Sequence, residues 1–320
     1  MRRLALIVAV VAGALAPATP ASAHGGDVPD ATAYRTTVTG VSAPEAGLRV
    51  RAVEAGARLE LVNKTGHTVE ILGYSGEPYL EVRTDGTWEN TSSPAAYTNQ
   101  TLTGDTPVPA TADPTAPPTW RRVSTSTTVR WHDQRTHWLT PGLPPPAQAD
   151  PTRVHRLRDW TVPLREGVRT FEIRGTLDWV PPPKAWRWWL GAALLALTVT
   201  AAGLRTSRPI AALALIAGTI AISYASAKSF AIPVLAVGLL AVAAGIRPRP
   251  FLLALAGASL TVFAGFTEAG VFTQAVLPVA GPAWCARAAV LVALGAGLGL
   301  LSTGVLGLRK MSAAPSIVDA

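Results

Sequence analysis

Three of the five histidines in the chain stand where their ring nitrogens could bind a metal ion. His24 follows a segment typical of a secretory signal peptide, residues 1–23, with Arg2 and Arg3, an apolar run and a small-residue cleavage site at Ala21-Ser22-Ala23. Cleavage there would give His24 a free α-amine beside its imidazole, and two such nitrogens can chelate a transition metal such as copper, zinc or nickel. The alternative is that His24 starts a structureless tail.

His132 and His137 are the other two candidate ligands, and their spacing restricts how they could act. Residues five apart point to opposite faces of a strand and lie about 140° apart around a helix, so neither element lets both bind one ion. They could do so only across a hairpin loop formed by residues 133–136; otherwise one of them alone would join the two nitrogens of His24. The opposing hypothesis places the flanking tryptophans in a core and the histidines on the surface.

A cleaved signal followed directly by His24, with another histidine further along, resembles the histidine-brace copper sites of exported CopC-type copper-resistance proteins and of copper-dependent polysaccharide monooxygenases. The resemblance implies a Cu(II) cofactor, to which His24 would supply two nitrogens and His132 or His137 a third. The chain departs from the usual copper-carrier pattern because its only methionines are Met1 and Met311, which leaves no thioether site for Cu(I). It also departs from CopD-type membrane partners, which we would expect to carry His or Met in their spans.

Two stretches predict a ligand or partner surface. The stretch from Leu72 to Tyr79 holds two glycines, a proline and two tyrosines, and shaped loops of this kind carry binding function on β scaffolds. The second stretch, Trp131–Trp138, is rich in aromatic and charged residues. The candidate surface consists of Tyr74, Glu77, Tyr79, Trp131, Asp133, Arg135 and Trp138. The alternative for the first stretch is a plain strand connection that needs a positive φ at Gly76.

The sequence predicts neither an enzyme nor a nucleic-acid-binding protein. It has no Gly-x-Ser-x-Gly elbow, no His-Glu-x-x-His and no Walker loop. The net charge of +8 is uneven, since residues 24–183 carry 16 Lys/Arg against 18 Asp/Glu whereas residues 184–320 carry 10 against 2. No basic stripe with interleaved aromatic residues is present, so we expect no nucleic-acid partner.

The excess positive charge lies between apolar segments that predict membrane-spanning helices. The five predicted helices are 188–204, 210–227, 230–246, 251–266 and 288–308. Basic pairs follow the first, third and fifth of them, at Arg205 and Arg208, Arg247 and Arg249, and Arg309 and Lys310. Because such residues mark the cytoplasmic side, we expect a bacterial plasma-membrane protein with its amino-terminal domain outside and its tail, residues 311–320, in the cytoplasm. Segment 267–287 could be an outer loop, a re-entrant piece or part of a longer fourth helix.

Residues 24–180 predict an exported all-β domain, because short stretches rich in Val, Thr, Leu, Tyr and Trp alternate with polar residues and turn sequences. The candidate strands are 49–54, 58–62, 68–72, 79–82, 123–131, 159–164 and 170–179. Their number and spacing favour a sandwich of the immunoglobulin or cupredoxin type, with a jelly roll as the alternative. Residues 181–187 begin with three prolines and predict a stiff linker between this domain and a transmembrane domain at 188–310.

From end to end the chain also resembles a group of uncharacterised actinobacterial membrane proteins. The matching features are the signal, Gly73–Leu80, Trp131–Trp138, Asp178–Pro182 and the apolar tail. The resemblance implies an exported domain on a multi-helix anchor and implies no activity.

These observations predict a non-enzymatic membrane-anchored envelope protein whose exported β domain binds or presents a ligand. Copper binding is the most concrete form of this hypothesis. The alternative is an assembly or interaction module that uses the candidate surface to bind an envelope protein partner. A transporter is a third hypothesis, which the scarcity of ionisable residues within the predicted spans disfavours.

Overall fold

The computed structural model describes residues 31–205, 208–227 and 232–312, which divide by their contacts into two units. The β unit is the chain up to Pro181 together with Ala275–Pro278, and the helical unit is residues 182–274 and 279–312. The predicted signal peptide, its cleavage site, His24 and residues 313–320 of the predicted cytoplasmic tail lie outside the described residues.

The β unit contains two antiparallel sheets. Its strands are β1 Tyr34–Val41, β2 Leu48–Val53, β3 Arg58–Asn63, β4 Val69–Leu72, β5 Pro78–Arg83, β6 Gly86–Asn90, β7 Trp120–Ser124, β8 Thr128–Trp131, β9 His155–Glu166 and β10 Arg169–Trp179. One sheet has seven strands in the order β1-β10-β9-β4-β5-β6-β7, and the other has three in the order β2-β3-β8. Two short helices, α1 (Ala95–Thr98) and α2 (Pro145–Ala149), complete the unit.

Both sheets contribute to one hydrophobic core. Leu61 of β3 and Trp131 of β8 come from the three-stranded sheet, while Ile71, Leu164 and Ile173 come from β4, β9 and β10 of the larger one. Alternate residues of each strand point inward, as the period of two in an extended chain requires. The predicted strand 123–131 is wrong in one respect: it is broken into β7 and β8, which belong to different sheets.

Four helical segments of the described chain are long and apolar enough to cross a membrane. They are Ala185–Arg205 (α3), Pro209–Ala227 within α4 (Arg208–Ala227), Pro250–Phe272 and Ala283–Ser312 (α7). The third begins as α6, Pro250–Ser259, and continues as a π-helix to Gly265 and a 3₁₀ helix to Phe272. Between the second and the third lies α5, Ile232–Ile246, which is apolar but only 15 residues long.

The helix bounds differ from the predicted ones mainly at the ends. Helix α3 starts at Ala185, so the last residues of the predicted 181–187 linker are helical. Helix α7 extends the predicted 288–308 segment in both directions. The segment predicted at 251–266 stays helical to Phe272, which favours the longer fourth helix over a loop for the first part of 267–287.

Small residues allow the helices to approach closely, as in other helix pairs that pack without a large apolar side chain between them. A Cβ atom placed on Gly257 of α6 would lie 2.3 Å from the backbone N of Leu301 in α7. A Cβ atom on Gly218 of α4 would lie 2.7 Å from the carbonyl oxygen of Gly238 in α5. Substitution at either glycine would therefore push two backbones apart.

Candidate functional site

The Trp131–Trp138 segment is organised around the fully buried carboxylate of Asp133. Strand β8 ends at Trp131, whose indole Nε1 donates to Asp133 Oδ2 at 3.2 Å. Asp133 then caps the 3₁₀ turn Gln134–Thr136 by accepting from the backbone N–H of Arg135 at 3.1 Å. The Arg135 guanidinium adds two hydrogen bonds to the same carboxylate, at 2.8 Å from Nε and 2.7 Å from Nη2. Such a two-pronged ion pair fixes both side chains in one orientation.

Arg135 also connects this segment to the glycine- and tyrosine-rich loop. Its Nη2 donates to the Leu72 carbonyl at 3.1 Å, and its guanidinium carbon lies 4.9 Å from the centre of the Tyr74 ring. The Tyr74 hydroxyl accepts from the backbone N–H of Gln134 at 3.0 Å and donates to Oδ1 of Asn99. The structure thus brings together the two stretches from which a surface was predicted.

Most side chains of the predicted surface nevertheless face the interior. Glu77, Tyr79, Trp131 and Asp133 are buried, Arg135 and Trp138 are half-buried, and Tyr74 is 40% exposed. A partner could reach Tyr74 without rearrangement but not the buried four. These residues therefore form an internal polar network that shapes the surrounding loops.

Glu77 anchors the loop end of this network. Its carboxylate accepts from the backbone N–H of Ser75 at 2.9 Å and from the hydroxyl of Ser93 at 2.7 Å. The carboxylate occupies the space that a side chain at Gly73 would need, since a Cβ atom there would lie 1.9 Å from Glu77 Oε1. Gly73 is therefore required for close packing, whereas Gly76 has a positive φ of 83°, as the alternative of a plain strand connection requires.

His132 is buried, and both of its ring nitrogens are engaged. Its Nδ1 lies 2.7 Å from the carbonyl oxygen of Ala57, and its Nε2 accepts from Nε of Arg58 at 3.2 Å. A metal ligand needs a free nitrogen lone pair, which this arrangement uses for Arg58. His132, which the sequence predicted as a metal ligand, could bind a metal ion only by giving up the hydrogen bond from Arg58.

His137 differs from His132, because its buried Nε2 has no hydrogen-bond partner within the described part of the chain. Burial lowers the pKa of His137 to about 4; His132 and Arg158 act in the same direction, while Asp133 and a hydrogen bond to the Ala57 carbonyl act against it. His137 is thus a neutral imidazole, and one of its two ring nitrogens carries a lone pair. The linker between the histidines is the 3₁₀ turn described above rather than the hairpin loop considered from the sequence.

His137 lines a cavity of about 270 Å³ in the β unit. Its other walls include Thr32, Tyr34, Glu54, Ala57 and Trp138. Trp138 places a second unpartnered polar atom, Nε1, among the buried groups of the described chain. Glu54 and Ala55 have φ values of 56° and 59°, a conformation that costs non-glycine residues energy and is held only where the surroundings demand it.

No group of three or more His, Cys, Asp or Glu side chains in residues 31–205, 208–227 and 232–312 could hold a metal ion by itself. His155 is occupied by the carbonyl of Asp150, 2.6 Å from its Nε2. In the helical unit, a carboxylate of Glu268 accepts from the hydroxyl of Tyr224 at 2.8 Å. A metal site at His137 therefore needs donors from beyond the described ranges.

Sequence reasoning missed three contributors to this site: Ala57, which acts through its backbone carbonyl, Tyr34 and Asn99. The strand pattern of residues 34–41, rich in Tyr, Thr and Val, could have indicated the first wall of the cavity. Nothing in the local sequence marks Ala57 or Asn99. The chain matches no protein-family model, no curated protein and no solved structure.

Proposed function

We propose that this protein is a non-enzymatic, membrane-anchored protein of the bacterial envelope whose exported β unit binds Cu(II). One observation carries the proposal: His137 is a buried, neutral imidazole that lines a cavity, and its Nε2 has no hydrogen-bond partner among the described residues. Imidazole nitrogen of this kind is a good ligand for copper. A hydrogen-bond donor or a metal ion would satisfy a group that is otherwise costly to bury.

The α-amine and imidazole of His24 are the proposed companions of His137. The described chain enters the β unit at the same cavity, where Ala31 and Thr32 form part of the wall. His24 precedes Ala31 by only seven residues, an extended reach of up to about 25 Å. The three nitrogens would hold Cu(II) in the cavity, while His132 supports the site through Ala57 and Arg58.

The five-span topology with the β unit outside has support from connectivity. Val276 lies between α6 and α7 in sequence, yet it belongs to the β unit through a bridge to Thr32, with N–H···O distances of 2.9 and 2.8 Å. This bridge supports an even number of membrane crossings between Pro181 and Val276. The number of crossings is four if α3, α4, α5 and the segment Pro250–Phe272 all span the membrane. It is three if the short α5 does not span it.

The finer fold type belongs to the same proposal. We propose a sandwich of the immunoglobulin or cupredoxin type, which the antiparallel strand pairing throughout the two described sheets supports. The Pro181–Pro183 segment then leads from β10 into α3.

Calorimetric titration of Cu(II) tests the proposal. The sample is the full mature chain beginning at His24, purified in detergent, and the matched control carries one extra glycine before His24. We expect the extended protein to bind at least about tenfold more weakly, because its amine is no longer adjacent to the His24 imidazole. Equal affinities would refute the role of His24.

The alternative, an envelope interaction module, draws on the exposure of Tyr74. It would use Tyr74 and the neighbouring loop to bind an envelope protein. The burial of Glu77, Tyr79, Trp131 and Asp133 makes this the weaker proposal, since an interface usually buries such residues only on binding.

A further inference from the structure

A second cavity, of about 300 Å³, lies in the β unit beside His132 rather than His137. Residues of both sheets and of the segment after α1 line it. Its polar wall is formed by Arg58, Arg130, Asn99, Gln100 and Glu89, and its apolar wall includes Leu80, Val123 and Val129. The lining is more polar than apolar, so charged and hydrogen-bonding groups decide what the cavity can recognise.

Asn99 contributes a buried donor that lacks an acceptor. Its side chain is 95% buried, and its Nδ2 makes no hydrogen bond to any described residue. In this orientation of the amide, the Tyr74 hydroxyl accepts from the backbone N–H of Gln134 and donates its hydrogen to Oδ1 of Asn99. An unsatisfied donor held in this way indicates a missing acceptor.

Arg58 and Arg130 place positive charge at the same cavity, and the carboxylate of Glu54 forms a hydrogen bond with each guanidinium. Arg58 donates from Nη1 to Glu54 at 2.7 Å and from Nε to His132 at 3.2 Å. Arg130 donates from Nη1 to Glu54 at 3.4 Å and from Nε to Glu60 at 2.7 Å. In each guanidinium these contacts leave Nη2 without a partner among the described residues. Both groups are thus preorganised to donate to a ligand, which reduces the entropy lost on binding.

The carboxylates nearby are already compensated. Glu60 accepts from Arg51 as well as from Arg130, at 2.6 and 2.7 Å. Glu89, the carboxylate that lines the cavity, pairs with Arg121 at 2.7 Å. The guanidiniums of Arg51, Arg58 and Arg130 therefore surround two carboxylates, those of Glu54 and Glu60. This leaves an excess of one positive charge beside the cavity.

We propose that this cavity binds a small organic carboxylate. The carboxylate group would accept from the Nη2 atoms of Arg58 and Arg130 and from Nδ2 of Asn99, as guanidinium groups pair with carboxylates through parallel hydrogen bonds. The apolar body of the ligand would lie against Val123 and Val129. The site is separate from the cavity at His137 and does not depend on copper.

Benzoate is the probe that tests the proposal, with the isosteric but uncharged benzamide as its control. Each is titrated calorimetrically into the full-length protein in detergent. We expect benzoate to bind at least about tenfold more tightly than benzamide, because the guanidiniums recognise the negative charge. Absence of benzoate binding, or equal binding of the two, would overturn the proposal, and neither result requires a variant to fold.

A matched pair of variants locates the site. Arg130→Gln removes a guanidinium that lines the cavity, whereas Arg51→Gln removes one that pairs with the same Glu60 but lies outside the lining. We expect Arg130→Gln to weaken benzoate binding about tenfold and Arg51→Gln to weaken it much less, because Arg51 contributes to the local charge but supplies no donor to the cavity lining. Equal effects of the two variants would contradict the assignment. Cu(II) affinity should be the same in both variants as in the parent protein.

Discussion

His132 and His137 line two different cavities, and the carbonyl oxygen of Ala57, a residue that lines the cavity of His137, lies 2.7 Å from Nδ1 of His132. Their hydrogen bonds separate their roles. His132 also accepts from Arg58 at its other ring nitrogen, while Nε2 of His137 has no partner among the described residues. Two histidines that look equivalent in the sequence are thus a structural residue and a candidate ligand.

The buried ion pair of Asp133 with Arg135 should be essential for stability. We expect Asp133→Asn to lower the free energy of unfolding by about 3 kcal/mol, because it leaves the largely buried guanidinium without its partner charge. The control is Asp150→Asn, which breaks an exposed pair with Arg153 and should change the free energy of unfolding far less. Denaturant unfolding followed by tryptophan fluorescence measures both, and similar costs for the two variants would contradict the prediction.

Gly73 should be intolerant of a methyl group for one specific reason, the Glu77 carboxylate. Gly73→Ala should cost about 2 kcal/mol, because Ser75 and Ser93 hold that carboxylate in the space of the new Cβ atom. In a Glu77→Ala background the same substitution should cost less than half as much. Unfolding free energies of the two single variants and the double variant test the coupling, and strict additivity would argue against it.

The stability of the metal-free protein should depend on His137 in mildly acidic solution. The native pKa of about 4 lies below the ordinary 6.5, so the unfolded state takes up a proton first as the pH falls. The contribution of the neutral imidazole is complete above pH 6.5 and declines toward pH 4. Between pH 7.5 and pH 5 the loss should be about 2 kcal/mol.

The variant His137→Leu isolates this effect, since carboxylates titrate identically in both proteins. Its unfolding free energy, measured in chelator, should fall less than that of the parent protein between the two pH values. If the unfolding free energies of the two proteins fall equally between pH 7.5 and pH 5, His137 is not buried as a neutral group.

Topology can be tested with Cys285, the one cysteine of the chain, which is exposed near the start of α7. If α5 crosses the membrane, a membrane-impermeant maleimide should label Cys285 in intact cells. In a Cys285→Ser/Ser312→Cys variant the cysteine sits at the other end of α7, and labelling should require permeabilised cells. The reverse pattern would mean three crossings before Val276 and would contradict the five-span proposal.

The sequence allows the regular elements to be predicted because their cause is local. Continuous apolarity indicates the helices, and alternation indicates strands such as β9 and β10. The predicted strand 123–131 fails because Ser124 and Ser126 form a turn through their side chains, with Ser126 N–H donating to Ser124 Oγ at 3.0 Å. The break sends β7 and β8 to different sheets, which no alternation pattern reveals.

The candidate site was only partly predictable because its decisive contacts join distant residues. The pairing of the Tyr74 loop with the Trp131–Trp138 segment was expected, but the burial of their polar groups was not. Ala57 acts through a backbone carbonyl, which any residue could supply. Asn99 contributes to the site because its side-chain amide accepts a hydrogen bond from Tyr74, which is distant in sequence. Such functions have no signature in residue type or spacing.

Cu(II) affinity of two histidine variants in the mature chain beginning at His24 tests the central claim most directly. Calorimetric titration of His137→Leu should show binding weakened at least about tenfold, because Nε2 of His137 is the proposed third nitrogen. His132→Leu should keep the affinity of the parent protein within a few-fold, once its folding has been verified by tryptophan fluorescence. Unchanged affinity in His137→Leu, with loss only in His132→Leu, would contradict the account.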